Sequence, residues 1–349
     1  MNEKTAVLDC SHEVCEVQQF QQTSWLGKDI RPSDYLTVFS EPVLEELHVL
    51  AAQLKQQTSP DTRDPCALPS VPKELPLSHT KAAMANIKHT LDSGAGFAVA
   101  DKLPIGEPFD EVWIAVFCIL GQMIGPAVAQ KHNGMMIYDV HNSGAKFGYG
   151  IRGSVTDVEL NFHTDNAFGQ ATPEYVGLFC RHPAKHGGVS RFCNLYALHN
   201  DIGDRYPRAL QRLYSPMYYD RQKEHSDNDA PVTWAPYFSV RKDANGRARL
   251  HARANVSLVR KGYEVADATM DQPLAEALDI IDGISQQPEY WYEAALEKGQ
   301  IQYLNNHEIG HYRSHFTDYD EAEKKRHLYR LWHRHNGHWS YHGQSDQPH

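Results

Sequence analysis

Residues 135–191 constrain the fold of this chain most, because short apolar runs alternate there with glycine turns, as in successive β-strands. Within this stretch Val158-Glu-Leu-Asn-Phe162 alternates apolar and polar residues, the pattern of a strand with one buried face. Apolar residues at helical spacing flank the stretch, for example over residues 42–57 and 271–284. These patterns predict one α+β domain built round a β-sandwich or barrel, and we find no internal repeat.

Further elements follow from turn residues and apolar spacing. We predict helices over 80–93, 110–121, 194–213 and 289–297, strands over 94–100 and 300–304, and a polar, loop-like segment over 220–246. The uncharged run at 112–130 contains Gly121, Gly125 and Pro126. These residues indicate a buried helix that ends and turns into a strand, and they argue against a membrane span.

Composition narrows the class of protein. Apolar residues make up 41% of the 349 residues, which is enough for a sizeable core. The formal net charge of −10 disfavours a nucleic-acid partner, because polyanions would be repelled. The N-terminus lacks a basic region followed by an apolar run, and the six scattered cysteines show no CxxC spacing. We therefore expect a cytoplasmic protein with reduced thiols and no membrane contact, and a homo-oligomer stays open.

A metal site is suggested by His-x-Asp pairs, of which the chain has three. His163-Thr-Asp165 follows the alternating strand, where residues two apart point to the same side and can reach one ion. The pair at His199 lies in a helical pattern, where such residues diverge, and the pair at His225 lies among polar residues without a rigid frame. Context therefore favours the first pair, although the motif alone is a weak signal.

A second histidine-rich region strengthens this hypothesis. Residues 302–316 hold His307, His311 and His315, and one neutral histidine from here would complete a face of two histidines and one carboxylate. Such a facial triad is the signature of iron(II) oxygenases. Its open coordination positions are chemically necessary, two for a chelating 2-oxo acid and one for oxygen.

Four motifs, in this order, give the chain a specific resemblance over roughly residues 80–333. They are Gly94-Ala-Gly-Phe-Ala-Val-Ala100, Phe162-His-Thr-Asp165, Gly187-Gly-Val-Ser190, and Leu304-Asn-Asn-His-Glu-Ile-Gly-His311-Tyr-Arg313 followed by Arg326-His-Leu-Tyr-Arg330. In these motifs the chain resembles the taurine dioxygenase (TauD/TfdA-like) family of Fe(II)/2-oxoglutarate-dependent dioxygenases, within the clavaminate synthase-like superfamily.

The resemblance implies a role for each matching residue. His163, Asp165 and His311 would bind iron(II). Arg326, helped by the hydroxyl of Ser190, would hold the distal carboxylate of the cosubstrate 2-oxoglutarate, since a guanidinium fork suits an oriented carboxylate. Arg330 would face an anionic group of the substrate or support the metal site, with a structural salt bridge as the alternative.

Two aromatic residues complete the candidate site. Tyr138 and Phe168 are candidates for lining the substrate pocket, with packing in the core as the alternative. One position departs from the family pattern, because His307 stands where the family usually has arginine. Contacts around that position are therefore expected to differ from those of the family.

The resemblance also implies a fold and a reaction. We expect a double-stranded β-helix (jelly-roll) core with flanking helices and insertions over residues 76–340, preceded by an extension at 1–75 that packs on the core and followed by a tail at 341–349. The implied enzyme consumes 2-oxoglutarate and O2 and releases succinate and CO2. It would oxidise a small, anionic organic molecule by hydroxylation, desaturation or cyclisation.

Two other functions compete for the same residues. His307-Glu308-Ile-Gly-His311 is a formal His-Glu-x-x-His match, which in zinc hydrolases lies on a helix with the glutamate as general base. Gly310 inside the required helix argues against it, and His163, Asp165 and Arg326 would stay unexplained. A non-catalytic barrel that binds a small ligand is the other alternative.

The C-terminal histidines, from His333 to His342, are predicted to form an exposed tail.

Overall fold

The structure is a computed structural model that describes residues 5–7, 24–56, 68–146, 148, 150–243 and 245–344. Its helices are α1 (Pro32–Tyr35), α2 (Glu41–Gln56), α3 (Ser78–Ser93), α4 (Val112–Ile124), α5 (Leu195–Arg205), α6 (Pro207–Leu213), α7 (Val256–Val265) and α8 (Gln272–Ser285). Its strands are β1 (Thr5–Val7), β2 (Leu36–Val38), β3 (Phe97–Asp101), β4 (Ala127–Val128), β5 (Tyr138–Val140), β6 (Leu160–His163), β7 (Tyr175–His182), β8 (His186–Gly187), β9 (Ser190–Asn194), β10 (Pro216–Asp220), β11 (Val232–Pro236), β12 (Phe238–Lys242), β13 (Ala248–Ala252), β14 (Trp291–Ala294), β15 (Ile301–Asn305), β16 (Ile309–Arg313), β17 (Phe316–Thr317) and β18 (His327–His333).

Two facing sheets form the core of the molecule. The larger runs β2-β3-β15-β7-β18-β4, with β5 also paired to β18, and the smaller runs β14-β9-β16-β6. Phe97 on the larger sheet stacks on Phe192 of the smaller, with ring centroids 4.2 Å apart and planes 10° from parallel. Both rings are fully buried, so this contact helps to close the sandwich.

Helices cover the larger sheet on its outer side. Ten of the thirteen residues of α4 are buried, because this helix packs against β7 and β18 beneath α2 and α3. The uncharged run at 112–130 is therefore a core helix with its following strand, as predicted. No helix within the described ranges combines the length and the apolar character that crossing a membrane requires. Cys118, Cys180 and Cys193 are buried free thiols, and the other three cysteines lie outside the described residues.

Most of the predicted elements are confirmed, and two of the secondary-structure predictions were wrong. Within the predicted loop at 220–246, β11 and β12 form, because β11 pairs with β10 and β12 pairs with β13. The predicted helix over 289–297 is instead a short 3₁₀ turn, Pro288–Tyr290, followed by β14, which pairs with β9. In both cases cross-strand hydrogen bonds outweigh the weak local preference.

The prediction that the C-terminal histidines form an exposed tail was wrong at His333. His333 is the last residue of β18 and is completely buried, with its Nδ1–H donating to the carbonyl of Gly125 at 2.9 Å. It packs so closely on α4 that a Cβ on Gly121 would lie 2.7 Å from its ring.

The proposed boundaries at 75 and 340 stay predictions, and residues 8–23, 57–67 and 345–349 lie outside the described part of the chain.

Candidate metal centre

The two candidate histidines are brought together by one pair of strands. His163 on β6 and His311 on β16 are direct partners in an antiparallel ladder, so their side chains emerge side by side on the same face. Their ring centroids are 4.2 Å apart. Asp165 follows two residues after His163, just beyond the end of β6. The strand pairing therefore explains why residues 148 positions apart in the chain meet.

One oxygen of Asp165 faces both imidazoles. Its Oδ1 lies 3.7 Å from Nε2 of His163 and 3.6 Å from Nε2 of His311. The three ligand atoms lie within 4.8 Å of one another and form a group that can hold a metal ion. Two imidazole nitrogens and one carboxylate oxygen on one side are the donor set of a facial iron(II) site, so these residues fit the ion.

The protonation state of His163 suits a metal ligand. Burial and the neighbouring His311 lower the pKa of His163 to about 3, so its ring is neutral near pH 7. Its Nδ1 lies 2.8 Å from the carbonyl oxygen of Asn161, which can only accept a hydrogen bond. The ring proton therefore occupies Nδ1, and the lone pair of Nε2 points toward Asp165 and His311.

The second oxygen of Asp165 is held by two donors. Oδ2 accepts from Nε1 of Trp332 at 2.7 Å and lies 3.0 Å from Nη1 of Arg330. Burial alone would raise the pKa of Asp165, but the charge of Arg330 and the two histidines bring the pKa below its usual value. Arg330 is oriented in turn by the Oε1 of Gln130, which accepts from its Nε at 2.8 Å. These contacts all involve Oδ2 or Arg330, so Oδ1 of Asp165 is left available to bind a metal ion.

Three supporting residues were not predicted from the sequence. Trp332 could have been found, because it lies two residues after Arg330 on β18 and so faces the same side. Gln130 lies 200 residues from Arg330, and no local pattern links them. Asn306, whose Oδ1 accepts from the backbone N–H of Asp165 at 2.7 Å, bridges the turn at Asp165 to the β15–β16 hairpin.

A cavity of about 540 Å³ opens in front of the three metal-binding candidates. Seven of the eight predicted site residues line it, namely His163, Asp165, Phe168, Ser190, His311, Arg326 and Arg330. Tyr138 does not line this cavity. Its ring is buried and lies 4.9 Å from the guanidinium carbon of Arg330, so it contacts the site through that side chain.

One end of the cavity is built around Arg326. Gly187 and Gly188 both have positive φ, and a Cβ on Gly188 would lie 3.1 Å from Nε of Arg326. The glycine turn therefore lets the backbone pass close to the guanidinium. Nη1 of Arg326 is buried without a hydrogen-bond partner within the described residues. Ser190 begins β9 directly after this turn.

Arg313 belongs to the same end of the cavity and was not predicted. It is the direct ladder partner of Ser190, and its Nε and Nη1 are buried without a hydrogen-bond partner in the described structure. Burial and the charge of Arg326 lower the pKa of Arg313 to about 9, and burial lowers that of Arg326 to about 10. Both stay cationic at neutral pH. The sequence held a signal for Arg313, because it follows His311 by two residues in a strand and so lies on the same face of the sheet.

The His-Glu-x-x-His residues do not form a zinc-hydrolase site. They span the turn between β15 and β16, whereas the motif requires a helix. Both oxygens of Glu308 face Arg249, at 2.8 Å from its Nε and its Nη2, and Glu308 does not line the cavity. Nε2 of His307 lies 3.0 Å from Oγ1 of Thr172. Only His311 of this motif reaches the metal-binding group.

A family model described as "Taurine catabolism dioxygenase TauD, TfdA family" matches residues 69–332. The chain belongs to this family. Among curated proteins, FR-33289 synthase from Streptomyces rubellomurinus (strain ATCC 31215) is 26% identical over 268 residues, which cover 74% of this chain and 75% of that protein. The resemblance inferred from the four motifs is thus confirmed.

Solved structures of similar fold agree with this assignment. Asparagine oxygenase, solved with Fe(II), 2S,3S-3-hydroxyasparagine and succinate, superposes with a TM-score of 0.61 at 17% identity, covering 86% of this chain and 93% of that one. The non-heme iron oxygenase OrfP, solved with Fe and alpha-ketoglutaric acid, gives 0.60 at 14% identity, with 85% and 93% covered. The predicted double-stranded β-helix is confirmed, as is the assignment of this TauD/TfdA-family chain to the iron(II)- and 2-oxoglutarate-dependent dioxygenases.

Proposed function

We propose that His163, Asp165 and His311 hold the iron(II) of this dioxygenase. The observation that carries the proposal is the position of Asp165 Oδ1, which faces the Nε2 atoms of both histidines at 3.6–3.7 Å. Bound there, iron(II) would supply the redox chemistry that couples O2 to the oxidation of 2-oxoglutarate to succinate and CO2. Arg330 and Trp332 act as positioning residues, because they fix Oδ2 and thereby aim Oδ1.

The two arginines at the other end of the cavity would bind the cosubstrate. 2-Oxoglutarate carries a distal carboxylate, and Arg326 and Arg313 both present buried N–H groups that lack partners within the described residues. Their guanidinium carbons lie 5.0 and 4.9 Å from the ring centroid of Phe316, so one aromatic side chain packs beside both. Asp157 attracts Arg313 and Asp318 attracts Arg326, but burial outweighs both and lowers the two pKa values, so a carboxylate ligand would be favoured here.

The hydroxyl of Ser190 would complete this carboxylate site. Ser190 lines the cavity and is the ladder partner of Arg313, so both side chains lie on the same face of the smaller sheet. Hydrogen bonds to charged groups are worth about 1.5–3 kcal/mol each, so the two arginines, with several donors, would contribute more than the single hydroxyl of Ser190.

The substrate that fits the remaining space is a small molecule of amino-acid size with an anionic group. Asparagine oxygenase and OrfP were solved with 3-hydroxyasparagine and 3-hydroxyarginine, respectively. The cavity wall carries Phe168 as an apolar surface and the half-buried carboxylate of Asp282, whose pKa burial raises. A cationic amino group would relieve that cost, while Arg330, which already pairs with Asp165, would offer its remaining Nη2 to an anionic group. Hydroxylation of a C–H bond is the proposed outcome, with desaturation or cyclisation as alternatives.

The first experiment is anaerobic addition of iron(II) and then 2-oxoglutarate to metal-free protein. The visible charge-transfer band of the chelate should form in the wild type, vanish in His163→Ala and Asp165→Ala, and need about 100-fold more 2-oxoglutarate in Arg326→Gln. Glu308→Gln is the matched control, since it alters the same sequence motif away from the cavity and should keep the band.

Two outcomes of this experiment would count against the proposal. A well-folded, iron-loaded wild type without the band, or a band that survives in Asp165→Ala, would contradict the proposed site. Succinate release with a panel of amino acids and their acylated derivatives then tests the substrate. Release with anionic amino acids is expected, whereas release only with neutral compounds would contradict the substrate class.

A further inference from the structure

A second group of metal-binding side chains lies outside the iron site. His132, Asp229 and His342 each offer one ligand atom, and these atoms all lie within 4.8 Å of one another. The three residues come from separate parts of the chain, namely the connection between β4 and β5, the connection between β10 and β11, and the segment after β18. His132 is exposed and Asp229 is partly exposed, so solvent reaches the group from their side, whereas both ring nitrogens of His342 are buried.

Each of these segments is fixed by contacts beside the candidate ligand. Tyr341, directly before His342, is buried and donates its hydroxyl to Oδ1 of Asn166 at 3.0 Å. Oδ2 of Asp229 accepts from the backbone N–H of Ser226 at 3.0 Å, which turns the carboxylate and holds it in one orientation. These contacts place the ligand atoms before any ion binds, which lowers the entropic cost of binding.

The turn that carries His132 is fixed as well. The N–H of Gly134 donates to the carbonyl of Lys131 at 3.0 Å, and Gly134 has φ +84°, as this turn requires. Arg221, whose side chain is almost completely buried, donates to the carbonyl of Ala230 at 2.9 Å and so stabilises the segment that carries Asp229. The group is therefore a set of three ordered side chains at the junction of three anchored segments.

Distances allow a single ion to reach all three ligands. Three atoms that are no more than 4.8 Å apart always share a point that lies within about 2.8 Å of each of them. Zinc bonds to histidine nitrogen and carboxylate oxygen are about 2.0–2.2 Å, so each ligand atom needs to move by less than about 1 Å. Rotation of exposed side chains such as His132 supplies that movement at low cost.

We propose that His132, Asp229 and His342 form a second, structural site for a divalent transition-metal ion, with Zn²⁺ as the ion that the donor set suits best. Two imidazoles and one carboxylate suit zinc, and water would complete a tetrahedral shell. The ion would tie the C-terminal segment to the two connections around the iron site. Tyr341 contacts Asn166, which neighbours Asp165, and His132 lies two residues after Gln130, which orients Arg330. The expected role is to stabilise this side of the cavity.

The test measures Zn²⁺ stoichiometry in a full-length variant whose iron site is removed, His163→Ala/His311→Ala. Titration against a chromophoric chelator should find one Zn²⁺ per chain in this background. Adding His342→Ala should weaken binding on the order of 100-fold, because one of three protein ligands is lost. His338→Ala is the matched control, since it removes a nearby histidine of the same segment, and it should leave the affinity unchanged.

Three results would overturn the proposal. The iron-site variant could bind no Zn²⁺, the His338→Ala control could weaken binding as much as His342→Ala, or binding could persist when His132, Asp229 and His342 are all replaced. The last result would mean that other histidines take up zinc adventitiously. Far-ultraviolet circular dichroism of each variant verifies folding, and His132→Ala, at an exposed position, serves if His342→Ala does not fold. In wild-type protein already loaded with iron, Zn²⁺ should raise Tm, and His132→Ala should abolish that rise.

Discussion

Two buried carboxylates, Asp165 and Glu308, have similar kinds of partners, although we propose a metal-binding function for Asp165 alone. Each faces an arginine, Arg330 for Asp165 and Arg249 for Glu308. Each also accepts a hydrogen bond from an aromatic side chain, from Trp332 Nε1 at 2.7 Å for Asp165 and from the Tyr196 hydroxyl at 2.8 Å for Glu308. Both carboxylates are 6% exposed. Burial and ion pairing alone therefore do not mark the functional group.

The difference lies in which oxygens are used. Arg249 and Tyr196 together occupy both oxygens of Glu308, and burial raises its pKa. At Asp165, both donors act on Oδ2, while Oδ1 faces two histidines and the open cavity. A carboxylate with one oxygen left for a ligand can bind a metal ion, whereas a fully satisfied carboxylate can only stabilise the fold.

The largest expected effect comes from Asp165→Ala. This change removes one of the three proposed iron ligands, so iron(II) affinity should fall by at least about 1000-fold and turnover should be lost. Anaerobic equilibrium dialysis with iron(II) measures the affinity. Iron binding at the wild-type level in this variant would mean that the ion lies elsewhere and that Asp165 resembles Glu308 in function.

Glu308→Gln should affect stability and leave the metal site intact. The substitution leaves the positive charge of Arg249 without its carboxylate, which should lower the free energy of unfolding by about 3 kcal/mol. Urea denaturation measures that loss, and iron(II) affinity should stay within about twofold of the wild type. A loss of iron binding in folded Glu308→Gln protein would contradict the distinction between the two carboxylates.

Trp332→Phe tests how much the orientation of Asp165 matters. The variant keeps an aromatic ring and removes one of the two donors to Oδ2, so iron(II) affinity should fall by about 30-fold while the fold is retained. The ratio of kcat to KM for 2-oxoglutarate, measured at saturating iron, separates weaker metal binding from weaker cosubstrate binding. An unchanged iron affinity would show that Arg330 alone positions Asp165.

The smallest effect concerns His333, which lies on β18 beside Trp332 and has no predicted catalytic role. Burial lowers its pKa from 6.5 to about 4, so between these values the unfolded state binds more protons than the folded state. Stability should therefore fall as the pH decreases through this window, by about 1 kcal/mol from this group between pH 6.5 and 5.5. His333→Gln should reduce the slope in urea denaturation at several pH values, and an unchanged slope would contradict the assignment.

Local patterns predicted many of the elements well. The helix predicted over 42–57 is α2 (Glu41–Gln56), and the strand predicted over 300–304 is β15 (Ile301–Asn305). The prediction failed at β14, where Trp291 pairs with Cys193 and the ladder overrides helical spacing. It also failed at β11, which pairs with β1 near the start of the chain, and at His333, whose partner Gly125 is 208 residues away. Such contacts leave no local periodicity to detect.

The sequence by itself determined the residue types of the iron site, since the order of the His163-Thr-Asp165, His311 and Arg326 motifs is specific enough to indicate the family. Only the tertiary structure decided how these residues act. It turned Arg330 toward Asp165, brought Arg313 beside Arg326, and enclosed Glu308 with Arg249 away from the cavity. The physical reason is that chemistry depends on which atoms of a side chain remain free, and strand register and long-range packing decide that.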